Sequence, residues 1–164
     1  MSNNHDNQID EMRGIRDLAD IGNYEEALRL LDELAVRYPR EAKIWVERAA
    51  INGRQKDIGA TIADWTKAIE LCDKEPHYFY MRGIEFFALS QYRSAISDFT
   101  KVIELCDFYN SDYYKGPAYF FRADAHLRLG CFEQARSDCM HVRDDMRTWT
   151  DKLRTKADIL AECS

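Results

Sequence analysis

Apolar residues along the chain recur at helical spacing, and they do so in paired runs. Ile9, Met12, Ile15 and Leu18 fall on one helical face, Gly22-Asn23-Tyr24 breaks the run, and Ala27, Leu28, Leu31 and Leu34 resume it before Tyr38-Pro39. The pattern predicts a helical hairpin over 8–41. Asp64 to Asp73, DWTKAIELCD, returns 34 residues later as Asp98 to Asp107, DFTKVIELCD, so the hairpin is one unit of a repeat array. Units are expected at 8–41, 42–75, 76–109 and 116–149, with an insert at 110–115. Residues 1–7 are polar and aperiodic and read as a disordered lead. In 150–164, Leu153, Ala157 and Leu160 share one face, as expected of a helix that caps the last hairpin.

The recurring residues resemble the tetratricopeptide repeat, whose pattern combines an aromatic and a small residue in the first helix with Tyr, Ala-x3-Phe and Pro in the second. The first unit keeps Tyr24, Ala27, Leu31 and Pro39, but has Glu11 where an aromatic is expected. The second has Trp45, Ala49, Ile58, Trp65 and Ala68, with Thr61 in place of alanine. Phe79, Gly83, Phe86, Tyr92, Ala95, Phe99 and Val102 make the third the cleanest match; Tyr119, Ala123, Gly130, Phe132, Ala135, Cys139 and Val142 follow in the fourth. The resemblance covers nearly the whole chain. It implies an all-α helical-hairpin solenoid, a right-handed superhelix.

A charge pair repeats inside this pattern. Arg48, Arg82 and Arg122 occupy the seventh repeat position, and Asp64, Asp98 and Asp138 follow each by sixteen residues. The first unit has Gly14 and Leu30 instead, so the two charges are lost together, which predicts contact between the two helices of a hairpin. A partly buried guanidinium cannot shed its charge and suits a bidentate carboxylate. The competing reading is an arginine row that grips an acidic ligand.

The resemblance also implies where a ligand would lie, on the first helices that line the concave face. The corresponding residues include Met12 and Arg16, then Val46, Ala50 and Arg54, then His77, Tyr80, Ile84 and Phe87, then Phe120, Asp124, Leu127 and Arg128. The later ones are strongly aromatic and apolar, and such a patch is seldom left bare. Either a partner's helix or peptide docks there, or superhelical curvature or the C-terminal helix covers it. Tyr113 and Tyr114 of the insert form a candidate lip, while a longer preceding helix that buries Phe108 and Tyr109 is the plainer alternative. The carboxylate clamp of chaperone-binding relatives is missing, because Met12, Arg16, Glu47, His77 and Met81 stand at its positions.

Composition narrows the class further. A net charge of −6 argues against a phosphate-backbone partner and for a neutral or basic protein surface. No signal-like run or membrane-length apolar stretch occurs, so a soluble cytoplasmic protein is expected. Five cysteines at helical positions read as reduced thiols packed like small hydrophobes. No nucleophile motif, phosphate loop or metal-ligand spacing is present; Cys131, Cys139 and His141 do not fit a zinc site. His126 reads as a core histidine. The expectation is a cofactor-free, non-catalytic protein-binding module of adaptor or chaperone type. An immunity protein that neutralises a toxin, or a self-associating protein such as a homodimer, are the alternatives.

Overall fold

The computed structural model describes the backbone over residues 3–149 and 153–163 and the side chains over 10–148 and 153–163. Nine helices are found among these residues: α1 Asn3–Asp20, α2 Tyr24–Arg37, α3 Ala42–Arg54, α4 Ile58–Leu71, α5 Pro76–Ala88, α6 Tyr92–Tyr109, α7 Lys115–Arg128, α8 Phe132–Cys139 and α9 Lys156–Glu162. The first eight pair as four antiparallel hairpins. The chain divides into two compact units, Met1–Asp73 and Lys74–Ser164.

The hairpin turns are nearly identical because one repeat position carries them. The fifteenth residue of each unit takes the left-handed region: Gly22 at φ 84°, Lys56 at 62°, Ser90 at 58° and Gly130 at 73°. The next amide in each case bonds a carbonyl five residues back, Asn23 to Leu18 at 2.9 Å, Asp57 to Asn52 at 3.0 Å, Gln91 to Phe86 at 2.8 Å and Cys131 to His126 at 2.9 Å. These bonds satisfy carbonyls that a helix end would otherwise orphan.

In the first unit Met12, Ile15 and Ala19 of α1 pack with Ala27, Leu31 and Leu34 of α2 and with Ile44 and Ile51 of α3. In the second, Gly83 lets α5 approach α6. A Cβ added there would stand 2.9 Å from the Phe99 ring, which is itself stacked on Phe121 at 5.5 Å. The small residue of the repeat is therefore a packing requirement.

The two ends differ from the expected pattern. Helix α1 begins at Asn3, within the stretch expected to be a disordered lead; residues 1–2 lie outside the described residues. Where a single capping helix over 150–164 is expected, a short strand pair precedes a shorter helix. Strand β1, Arg147–Trp149, runs antiparallel to β2, Leu153–Thr155, with Arg147 opposite Thr155; residues 150–152 lie outside the described residues. Thr155 stops the strand and starts α9 through a capping box with Asp158. Strands of three residues leave no period to read, which is why helical spacing alone dominates the segment.

Candidate partner-binding surface

Each first-helix residue sits in a different environment, set by what its own unit packs against it. In the first unit Met12 is buried in the core, so it offers nothing to a partner. Arg16 and Arg54 are exposed, Val46 is half-buried and Ala50 is open. The arginines are not isolated steering charges. Arg16 Nη1 lies 3.4 Å from Glu47, and Arg54 Nη1 lies 2.8 Å from Asp20. Burial holds the Glu47 carboxyl above its usual range, and the two arginines oppose that shift.

In the second unit the chain's own residues fill much of the expected surface. The Tyr114 hydroxyl and His77 Nδ1 are 2.8 Å apart, and the Tyr114 ring stands 5.1 Å from Tyr80 and 5.5 Å from His77. Burial lowers the His77 pKa and pushes the Tyr80 hydroxyl up to about 12. Tyr114 is thus packed onto α5, while Tyr113 is 78% exposed. Ile84 is half-buried, and Phe87 is buried edge-on against Tyr92 and Phe121. Helix α6 does run long, to Tyr109, where Asn110 at φ 51° stops it, yet Phe108 on that extension is exposed rather than buried.

On the fourth hairpin the chain's own C-terminal segment, the second of the two alternatives, covers the apolar patch. Phe120, Asp124 and Leu127 are buried, because α9 lies over α7 and α8 and brings Ile159 and Cys163 into one core with Phe120, Leu127, Ala135, Cys139 and Val142. Arg128 Nε donates to Asp124 at 3.2 Å. The residue that sequence reasoning missed is Arg154 on β2. It is 2% exposed, with Nε 3.3 Å from Asp124 Oδ2 and Nη1 donating to Glu162 at 3.1 Å. A lone arginine among lysines in a short terminal segment carries no periodic signal that would single it out.

The repeated charges meet within their hairpins. Arg82 donates Nε and Nη2 to Asp98 at 2.9 and 2.8 Å, and Arg122 donates the same pair to Asp138 at 2.9 and 2.7 Å. Arg48 differs. Its Nη1 meets Asp32 on the preceding helix, its Nε is 3.3 Å from Asp64, and the buried Asn52 amide donates to Asp64 at 2.7 Å. Burial accordingly raises the Asp64 carboxyl above its usual range, with Arg48 and Asn52 offsetting part of that cost. Arg122 likewise reaches the preceding helix, donating Nη1 to Thr100 at 3.0 Å. The arginine therefore stitches neighbouring hairpins as well as the two helices of one hairpin.

His126 is half-buried, 4.0 Å from Asp138, and burial lowers its pKa. The Cys139 thiol is buried and pushed up to about 11, which suppresses thiolate. Among the described residues no group of three His, Cys, Asp or Glu could hold a metal ion, and no helix is long and apolar enough to cross a membrane.

Comparison with known proteins agrees with this architecture. Residues 13–76 match the family model described as "Tetratricopeptide repeat". No curated protein sequence matches. Among solved structures, the crystal structure of MamA protein is 18% identical with a TM-score of 0.68, covering 80% of this chain and 68% of that one. YrrB, described as a TPR protein with an unusual peptide-binding site, is 17% identical with a TM-score of 0.67, covering 80% and 64%. The TPR2B domain of yeast Sti1, in a complex with pHsp70, is 18% identical with a TM-score of 0.62, covering 72% and 98%. At such identities the likeness is one of fold.

Proposed function

The chain is a tetratricopeptide-repeat protein, and from that premise we propose that it is a non-catalytic module that binds a segment of another protein. The observation that carries the reading is the open first-helix strip of the first unit. Val46 and Ala50 of α3 lie beside the ion pairs Arg16–Glu47 and Arg54–Asp20. Arg16, Asp20 and Arg54 are each about half exposed or more, so these pairs contribute little to stability and can exchange for a ligand's charges. On α5, Tyr80 and Ile84 supply a second, more apolar contact surface. Phe120, Asp124 and Leu127 have no part in it. Relatives of this fold that hold peptides support the general activity.

The net charge of −6 favours a partner with a neutral or basic segment, as an adaptor, a chaperone or an immunity protein that masks a toxin would meet. The test is to capture partners with the tagged full chain, identify them, and measure binding by calorimetry. Ala50→Trp is expected to weaken binding at least about tenfold with an unchanged melting temperature, in the manner of a blocked interface centre. Binding indifferent to Ala50→Trp and Ile84→Glu alike would sink the reading that first-helix residues carry the contact. If light scattering finds only a stable homodimer and no partner is captured, the self-associating alternative stands instead.

A further inference from the structure

A cleft of about 580 Å³ lies wholly within the second unit, where neither the repeat nor the first-helix strip accounts for it. Two departures from the repeat build it. The insert places Asp112, Tyr113 and Lys115 at the start of α7, and α8 stops at Cys139 after eight residues where α2 and α4 run to fourteen. The chain that follows α8 forms the opposite wall with His141, Arg143 and Met146. The His141 ring stacks on Tyr119 at 4.4 Å and 17°, and the Arg122 guanidinium stands 5.3 Å from the same tyrosine ring. A Cβ on Gly116 would stand 3.2 Å from Met146 Cε, so glycine lets that wall come close.

We propose that this cleft binds a small molecule that joins a planar aromatic ring to an anionic group, of the class of nucleoside phosphates. The ring is selected by the wall: His141 is exposed and already lies parallel to Tyr119, so a base can prolong the stack, and Tyr113, 78% exposed, borders the same cleft. The anion is selected by the charges. Lys115 and Arg143 line the cleft against one carboxylate, Asp112, while the carboxylates that now hold them, Asp107 and Asp145, stand outside the lining. Arg143 and Asp145 are 79% and 70% exposed, so their pair contributes little and the guanidinium can turn its fork to a phosphate. Lys115 keeps Asp107 at 2.5 Å and has further ammonium donors to offer. The volume suits a whole small molecule rather than one side chain. An acidic protein segment would meet the net charge of −6 over its length, whereas a small anion meets the cleft alone.

None of these residues belongs to the first-helix strip, so the proposal can fail while partner binding stands. Titration calorimetry of the full chain with ADP, GDP, CDP and UDP in turn is the measurement, with adenosine and inorganic pyrophosphate as half-ligands. At least one of the four is expected to bind, and each half-ligand at least about tenfold more weakly than ADP where ADP is the one bound. Arg143→Ala is expected to weaken that binding at least about tenfold with an unchanged melting temperature, and His141→Ala to weaken it comparably. Ala50→Trp is expected to leave it unchanged. Absence of binding by all four nucleotides overturns the proposal, as does binding indifferent to both Arg143→Ala and His141→Ala. Pyrophosphate bound as tightly as the best nucleotide overturns it too, because the aromatic wall then has no part.

Discussion

At the scale of single residues, the turn position and the charge pair make the sharpest predictions. Lys56 and Ser90 occupy the left-handed conformation that Gly22 and Gly130 adopt without a Cβ penalty. That conformation costs an L-residue roughly 1–2 kcal/mol, partly offset by glycine's larger unfolded-state entropy. Lys56→Gly and Ser90→Gly are therefore each expected to stabilise by about 0.5–1 kcal/mol in urea titration, and a loss of stability in both would refute the strain argument. The Arg82–Asp98 pair is bidentate, with the carboxylate side chain 6% exposed and the guanidinium 17%. Asp98→Ala should cost about 2–4 kcal/mol because it leaves a largely buried cation, and adding Arg82→Leu should recover part of that loss. Asp64 is already burdened by desolvation and shares its contacts with Asn52. Asp64→Asn should cost under about 1 kcal/mol by the same measurement, since an amide still accepts one bond without a buried charge.

At the scale of elements, the hairpins were legible in the sequence because their periodicity runs over thirteen to eighteen residues in most helices, long enough to average out local exceptions. The joint absence of Gly14 and Leu30 from the charged pattern likewise pointed to the contact that Arg82–Asp98 and Arg122–Asp138 make. What the sequence did not reveal was which first-helix residues a neighbour would cover. Phe120 and Leu127 look like a ligand surface until Ile159 and Cys163 close over them, and that closure depends on β1, β2 and a buried arginine rather than on any repeat. Arg154→Ala should therefore act on the cap specifically. Deuterium exchange is expected to rise across α9 and β2 while α5 and α6 remain protected, and Arg154→Met with Asp124→Leu should restore protection. Uniform loss across the second unit would contradict a local clamp.

For the whole molecule, acidity is the informative variable. Burial keeps the folded-state pKa values of His77 and His126 below their ordinary 6.5, so the unfolded chain takes up protons more readily as the solution is acidified. The stability this provides is full above about pH 6.5 and is lost as the pH falls through the lower folded values. Asp64, Glu47 and Glu85 are shifted upward by burial and work in the opposite sense: what they add is present below their ordinary 3.8 to 4.5 and fades as the pH rises through their higher folded values. Calorimetry should find a lower melting temperature at pH 5.5 than at 7.5, and His126→Gln should flatten the slope. An unchanged melting temperature would mean that neither imidazole is kept from water as the geometry implies.

The clamp at the end of the second unit also sets a direction for growth by duplication. Asp124 is fully buried and shared between Arg128 and Arg154, and the segment that delivers Arg154 follows α8 immediately. An extra hairpin copied from 76–109 and spliced in before Lys115 would leave that arrangement whole. The same copy spliced in after Cys139 would carry Arg154 away from its carboxylate and strand a buried anion. Lengthening by tandem copying, whether in a laboratory or in a lineage, is open on one side of the fourth hairpin and closed on the other.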